Sequence, residues 1–192
     1  MSDRVAVITP SLPSRSFPLA RAAESVAGQT VPPAAHLIAV DHARKGTAAV
    51  RNALAVSALS LDADWIAPLD DDDILYPHHL HTLLDTAKRE EADVVYSYCD
   101  VVGRAWNPNS PLDELRLRRE NYIPITALIS ARVWETLDGW KDSSEVANGW
   151  EDWDFWVRAL DAGFRFANAP LVTWEYRFHA GNKTLLGEAG AR

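Results

Sequence analysis

The sequence has little of several residue types, and each shortage excludes a class of protein. It contains one cysteine, Cys99, so no disulfide can form within the chain, which suits a reducing compartment. Positive charge is scarce: the net charge is −8, which argues against a nucleic-acid partner. No hydrophobic run has the length of a signal peptide or a membrane span. We therefore expect a soluble, cytoplasmic protein without an integral membrane segment.

The first hundred residues alternate between two kinds of hydrophobic pattern. Short β-branched or apolar runs predict strands, and the stretches between them carry apolar residues at helical spacing. The predicted strands cover residues 5–9, 37–40, 65–69 and 94–98, and one predicted helix covers 47–60. This order predicts an α/β fold with a mostly parallel central sheet flanked by helices. The 192 residues suit a single domain, and ligands of such sheets bind beyond the carboxyl ends of the strands.

The second half of the chain has a less regular pattern. Several tryptophans between Trp134 and Trp174 indicate a packed aromatic wall or, as the favoured alternative, a tryptophan-rich core. Residues 113–120 are charged and predicted to be exposed. The remaining predictions are a strand at 123–129, helices at 131–137 and 152–162, and two short strands within 164–176 on either side of Pro170.

Four consecutive aspartates, Asp70 to Asp73, follow the predicted third strand. Their mutual repulsion is hard to explain without a cation, and hard divalent ions such as Mg²⁺ or Mn²⁺ prefer oxygen ligands. The alternative is an acidic turn before the helix that begins near Pro77, but one aspartate suffices for that role. The run therefore predicts a metal site.

A second pair of carboxylates, Glu151 and Asp152, stands at the start of a predicted helix. A carboxylate in such a position can act as a general base towards a hydroxyl group. The alternative interpretation is negative charge that stabilises a helix N-terminus.

Taken together, these segments resemble glycosyltransferase family 2, which has the GT-A fold with a Rossmann-like sheet. The resemblance rests on five stretches in order: VAVITPS, LIAVDHA, GTAAVRNALA, LDDDDILYPHHL and GWEDWDFWVR. His42 and Ala43 stand where the family has a second acidic residue and a Gly-Ser pair. The resemblance implies a nucleotide-binding half over about 1–100, an acceptor and catalytic half over about 101–184, and a flexible tail at 185–192.

The family resemblance implies a role for each matching residue. The donor would be held by residues of the first four stretches, namely Thr9, Pro10, Asp41, Arg51, Asp70 and Asp71. Asp72 of the DXD motif would bind Mn²⁺ or Mg²⁺, and Asp152, beside Glu151, would be the base of an inverting transfer. Trp150 and Trp153 are candidates for stacking on sugars, with Trp153 equally expected in the core.

Histidines give weaker indications of metal binding. Some relatives place a metal-binding histidine near the position of His179, which is otherwise an exposed side chain. Arg177 and Lys183 would steady the diphosphate in the same segment. His78, His79 and His81 lie at the start of a predicted helix and are expected on its solvated face.

The resemblance therefore predicts a metal-dependent glycosyltransferase that uses a nucleoside-diphosphate sugar, with UDP the favoured carrier. The acceptor is a glycan, a lipid-linked sugar, a protein or a small molecule, and a homo-oligomer could complete its site. One alternative is a non-catalytic nucleotide- or sugar-binding module of transferase descent. The other is a sugar nucleotidyltransferase, although the loop TPSLPSRSFP lacks the glycines expected of that class.

Overall fold

The computed structural model describes residues 3–105, 107–146 and 150–178. His179, Lys183 and the predicted tail at 185–192 lie outside the described residues. Among the residues described, no helix has both the length and the apolar character needed to cross a membrane.

Seven strands and six helices make up the described part of the chain. The strands are β1 (Val5–Ser11), β2 (Ala35–Val40), β3 (Trp65–Pro68), β4 (Ile74–Leu75), β5 (Val94–Val102), β6 (Ala127–Ser130) and β7 (Phe166–Arg177). The helices are α1 (Ser16–Ala27), α2 (Thr47–Ser60), α3 (His79–Glu90), α4 (Glu114–Leu117), α5 (Ala131–Leu137) and α6 (Glu151–Asp161). The predicted bounds of α2 and α5 are confirmed.

The strands form one sheet in the order β2-β1-β3-β6-β5-β7-β4. Strand β1 pairs in parallel with β2 and β3, and β5 pairs in parallel with β7. Strand β6 lies antiparallel between β3 and β5, and β4 lies antiparallel to β7. Five strands therefore share one direction, which confirms the mostly parallel sheet. The antiparallel β6 divides them into two groups, and the sequence did not predict this.

The two faces of the sheet are covered by different helices, because side chains of a strand alternate between its faces. Along β1, Ala6 and Ile8 pack into a cluster with residues of α2, α5 and α6. Val5 and Val7 pack into a second cluster with residues of α1 and α3. All of β1 is buried, and the sheet is the middle layer of a three-layer α/β unit.

The strand predicted at 123–129 begins only at Ala127. Ile123 and Ile125 are nevertheless buried, as their apolar side chains led us to expect. Pro124 between them has no N–H to contribute to a strand pair, and the carbonyl of Ile123 accepts a hydrogen bond from the Trp156 indole instead. This stretch is therefore packed into the core without being paired.

The two strands predicted within 164–176 are one continuous strand, β7. In its pairing with β5, Ser97 stands opposite Ala169 and Tyr98 stands opposite Val172. Pro170 and the residue after it are left unpaired, as in a β-bulge, which accommodates a residue that has no N–H donor. The proline therefore interrupts the pairing without ending the strand.

The expectation of a solvated histidine face is wrong for His79. This residue is buried, and its Nδ1 lies 2.6 Å from the Thr173 hydroxyl, which in turn lies 2.6 Å from that of Ser97. Burial lowers the pKa of His79 to about 3, so the ring is neutral. His78 and His81 are exposed. The histidine joins α3 to the sheet.

The aromatic residues between the sheet and α6 are buried in the core, as the alternative of a tryptophan-rich core predicts. The Trp140 and Phe155 rings stack with their centroids 5.0 Å apart, and Phe155 meets Trp156 edge to face at 5.4 Å. Trp140 is fixed by Asn52 of α2, whose side chain donates to its carbonyl (2.7 Å) and accepts from its N–H (2.9 Å). Gly139 approaches the same amide, and a Cβ built on it would lie 2.4 Å from Asn52 Oδ1.

We predict that Gly139→Ala destabilises the fold more than Gly163→Ala. Both glycines have positive φ, +74° and +80°, so both substitutions carry the strain of a left-handed residue, about 1 kcal/mol. Nothing lies within 4 Å of a Cβ at Gly163, whereas at Gly139 the methyl group meets Asn52. We expect roughly 1–3 kcal/mol more loss for Gly139→Ala in urea unfolding. Equal losses would show that the Asn52 contact is not restrictive.

Candidate functional site

A cleft of about 970 Å³ opens at the edge of the sheet where the parallel strands end. Its walls come from segments that directly follow strands: the loop after β1, Asp41 after β2 and the acidic run after β3. The start of α6 closes the opposite side with Trp150, Glu151 and Asp152. The predicted position of the site, beyond the carboxyl ends of the strands, agrees with this geometry.

Asp41 uses both of its carboxylate oxygens to close the turn between β2 and α2. Oδ1 accepts from the N–H of Lys45 and Oδ2 accepts from the N–H of Gly46, both at 2.9 Å. The Lys45 hydrogen bond and the other backbone N–H groups of this turn lower the pKa of Asp41. Its carboxylate is therefore an anion at the cleft wall whose orientation is set by the backbone.

Asp71 and Asp72 share one guanidinium. Arg15 Nη1 lies 2.7 Å from Asp71 Oδ1, and Arg15 Nη2 lies 2.9 Å from Asp72 Oδ2. The hydroxyl of Ser11, the last residue of β1, donates to the other oxygen of Asp71 at 2.5 Å. Burial acts to lower the pKa of Arg15, but Asp72 and Asp71 outweigh it and raise that pKa. Both aspartates therefore have a protein cation as a partner.

Asp73, the last of the four, is buried and has a different partner. Its Oδ1 accepts the backbone N–H of Arg177, the last residue of β7, at 3.0 Å. Burial, reinforced by the charges of Asp70 and Asp72, raises the pKa of Asp73 well above its usual range. Burial thus disfavours the charged form of this carboxyl, while the N–H of Arg177 favours it.

Asp70, the first of the four, belongs to a buried charge network centred on Arg51. The Arg51 side chain is 4% exposed, and its Nη2 lies 2.6 Å from Asp70 Oδ1. Its Nη1 lies 3.3 Å from Glu151 Oε1 at the start of α6. Arg51 thus joins the two acidic segments that the sequence separates. We predicted a donor ligand at Arg51, and the structure directs its guanidinium to these two carboxylates.

Asp152 has neutral hydrogen-bond donors. Asn121 donates to its Oδ2 at 3.1 Å, and the N–H of Trp153 donates to its Oδ1 at 2.8 Å. Burial raises the pKa of Asp152, the Asn121 hydrogen bond opposes this rise, and the charge of Glu151 adds to it. The half-buried carboxylate faces the cleft and is a stronger base than an ordinary aspartate.

Two of the predicted site residues do not line the cleft. The Thr9 hydroxyl is buried and lies 3.0 Å from His36 Nε2 on the neighbouring strand, whereas the next residue, Pro10, does line it. The indole of Trp153 donates to the Leu117 carbonyl at 2.6 Å and packs against the core, so the core alternative applies. Trp150 lines the cleft.

The described residues offer carboxylate oxygens to a metal but no preformed cage. Among them, no group of three or more His, Cys, Asp or Glu side chains is arranged to hold an ion. Asp72 fits as a single carboxylate ligand at the cleft, which suits Mg²⁺ or Mn²⁺ when a diphosphate supplies further oxygens. The side chain of Arg177 pairs with Glu175 at 2.6 Å, and His179 lies outside the described residues.

Sequence reasoning missed Ser11, Arg15 and Asn121 as members of the cleft. The loop after β1 did indicate a cation at the cleft, because Arg15 is the basic residue nearest to the end of that strand. The pattern around Asn121 has no comparable signal, since its contact with Asp152 depends on how the segment after α4 crosses α6.

Comparison with known proteins agrees with the geometry. The sequence model of glycosyl transferase family 2 matches residues 32–139, more than half of the chain. The match includes Asp41, Arg51 and the acidic run, and it ends before Glu151. No curated protein sequence matches the chain.

Solved structures of S. aureus TarS share the fold. TarS 1–349 in complex with UDP-GlcNAc has a TM-score of 0.72 at 14% identity, covering 93% of this chain and 60% of that one. The complex with UDP has a TM-score of 0.70 at 14% identity, covering 91% and 60%. The chain thus spans about 60% of the length of these TarS structures. The likeness confirms the predicted α/β, GT-A fold.

We predict that Arg51→Met lowers the free energy of unfolding by about 3 kcal/mol or more, because it leaves Glu151 buried without this cation. Arg89→Met is the matched control, since Arg89 is 55% exposed and its ion pairs are on the surface. We expect the control to cost less than about 1 kcal/mol. Urea unfolding measures both, and similar losses would contradict a structural role for the Arg51 network.

Proposed function

Because the chain belongs to glycosyl transferase family 2, we propose that it transfers a sugar from a nucleoside-diphosphate sugar to an acceptor hydroxyl. The observation that carries the proposal is the meeting of two acidic segments in one cleft. The run after β3 and the start of α6 are joined there by Arg51, with Asp152 facing the open space. The run after β3 suits binding of the donor, and the start of α6 suits the acceptor.

The donor half of the cleft supports a nucleoside diphosphate. Asp41 at the end of β2 and Asp70 at the end of β3 stand where the hydroxyls of a nucleoside can be bound by acceptor groups. The guanidinium of Arg15 provides positive charge in the same cleft, which a diphosphate requires. The TarS structures of the same fold contain UDP or UDP-GlcNAc, and this favours UDP as the carrier.

Asp152 is the proposed general base. Its carboxylate takes the proton of the acceptor hydroxyl while the acceptor oxygen bonds to the anomeric carbon of the donor. The bond from that carbon to the phosphate oxygen breaks, and its electron pair leaves with the nucleoside diphosphate. A single displacement of this kind inverts the anomeric configuration. The neutral donors Asn121 and the Trp153 N–H orient the carboxylate without neutralising it.

Charge on the leaving diphosphate needs compensation. A divalent ion held by Asp72, Mn²⁺ or Mg²⁺, would supply Lewis-acid stabilisation there. Arg15, which contacts Asp71 and Asp72, would add a second positive charge beside the diphosphate.

At the acceptor end, the indole of Trp150 presents an aromatic surface at the cleft, which suits the apolar face of a sugar ring. The acceptor thus is a sugar-bearing molecule or another hydroxyl compound that can reach α6.

We predict that Asp152→Asn reduces kcat by roughly 10²–10⁴-fold, the usual contribution of a general base. Calorimetry with UDP and the other common nucleoside diphosphates, in the presence of Mn²⁺, should show donor binding unchanged within about twofold, because Asp152 lies on the acceptor side. Asp154→Asn is the matched control, as Asp154 lies in the same helical turn but pairs with Arg158 at 2.6 Å. We expect it to retain the wild-type rate.

The same pair of variants separates the two main interpretations. An enzyme loses turnover in Asp152→Asn while it keeps donor binding. A non-catalytic binding module shows donor binding and no turnover in the wild type. Absence of binding for every nucleoside diphosphate tested would refute the proposed donor class.

We predict that the acidic limb of kcat/KM lies above the ordinary aspartate range near pH 4, because burial raises the pKa of Asp152. As the pH falls through that raised pKa, the base becomes protonated and the rate is lost. Asn121→Ala removes a hydrogen bond that lowers this pKa, so the limb should move to still higher pH. Rate profiles of wild type and variant test this, and an unmoved limb would contradict the role of Asn121.

A further inference from the structure

The proposed reaction gives Arg15 a diphosphate as its partner, but in the structure its guanidinium lies between two carboxylates. Its two terminal nitrogens contact two different carboxylates, Asp71 at 2.7 Å and Asp72 at 2.9 Å. Asp72 is also the carboxylate that would take a divalent ion. A guanidinium at hydrogen-bond distance and a divalent cation compete for the same carboxylate, because two positive charges would lie side by side.

The three side chains differ in how firmly they are held. Asp71 is 3% exposed and has Ser11 on one oxygen and Arg15 on the other. The side chain of Asp72 is 10% exposed, and that of Arg15 is 27% exposed. Arg15 is therefore the most accessible member of the group, and its contact with Asp72 is nearer to solvent than its contact with Asp71.

The main chain at Arg15 is fixed while the side chain is long. The N–H of Arg15 donates to the Leu12 carbonyl at 2.9 Å, and its own carbonyl accepts from Leu19 at 3.0 Å, at the start of α1. The guanidinium can thus change partners by side-chain rotation alone. A diphosphate offers it two oxygens that match its planar fork, and offers a divalent ion further ligands.

We propose that Arg15 is the counter-ion of Asp72 in the nucleotide-free protein and a ligand of the donor diphosphate in the complex. The free protein then binds a divalent ion weakly, and metal and nucleoside diphosphate bind with strong positive coupling. Arrival of the diphosphate moves Arg15 from Asp72 to the phosphate oxygens and leaves Asp72 to the metal. This inference rests on the proposed function, since it assumes a nucleoside-diphosphate donor.

The test measures Mn²⁺ binding to the protein by the loss of the free Mn²⁺ signal in electron paramagnetic resonance, without and with UDP. Because UDP itself binds Mn²⁺, the loss seen in a protein-free titration of UDP is subtracted. In the wild type we expect Mn²⁺ to bind at least about tenfold more tightly with UDP, within the usual range of coupling between sites. In Arg15→Gln, which removes the charge and keeps most of the side-chain length, Mn²⁺ should bind the nucleotide-free protein at least about tenfold more tightly than in wild type. UDP affinity in Mn²⁺ should fall by a similar factor.

Three variants serve as controls. Arg21→Gln removes one positive charge from α1, the helix that follows Arg15, outside the cleft, and should leave both affinities unchanged. Arg15→Lys keeps the charge and should return the Mn²⁺ affinity of the nucleotide-free protein towards the wild-type value. Asp72→Asn should abolish Mn²⁺ binding with and without UDP.

Two results overturn the proposal and identify which part fails. If UDP binds the wild type with Mn²⁺ but Arg15→Gln leaves both affinities unchanged, the role of Arg15 is wrong and the donor assignment stands. If neither UDP nor another nucleoside diphosphate binds with Mn²⁺, the proposed function fails and the role of Arg15 fails with it. Equal Mn²⁺ affinity with and without UDP also refutes the coupling.

Discussion

The buried guanidinium of Arg51 is the contact on which the arrangement of the site depends. A charge with 4% exposure needs compensation from the protein, and Arg51 receives it from Asp70 after β3 and from Glu151 at the start of α6. These two carboxylates come from opposite halves of the chain, so satisfying Arg51 requires the halves to meet. The next residue, Asn52, also links distant segments, because its side chain forms two hydrogen bonds with the backbone of Trp140. One turn of α2 therefore links the segment after β3 to the start of α6 and to the backbone of Trp140.

The acidic side chains around this contact differ in the partners that they bind. Arginines compensate Asp70, Asp71 and Asp72, whereas Asp73 accepts the N–H of Arg177 and burial raises its pKa. This explains how four adjacent aspartates coexist in a protein of net charge −8. Asp152 has the neutral Asn121 as its side-chain donor, and burial raises its pKa. Carboxylates that line one cleft thus differ in their partners and in basicity, a difference that fits the base proposed for Asp152.

The architecture brings these groups together through the placement of β6. This antiparallel strand separates β1–β3 from β5 and β7, and the packed stretch before it carries Ile123 and its neighbours into the cleft wall. Strand β4 and the end of β7 enclose the acidic run from the other side, where the N–H of Arg177 reaches Asp73. The acidic run is therefore anchored to the sheet on this side, while Arg15 contacts it from the loop after β1.

The sequence by itself determined the local elements and the edge at which function resides. Periodicity identified α2 and α5 to the residue, and polar residues at strand ends identified one edge of a mostly parallel sheet. Tertiary structure alone decided the partners. Arg15 lies between two aspartates and Arg51 between Asp70 and Glu151, whereas Thr9 contacts His36. Trp153 packs against the core, and His79 is buried inside the fold. The reason is that periodicity reports backbone preference and burial within a segment. Ion pairs and hydrogen bonds depend on which side chain from a distant segment comes within about 3 Å.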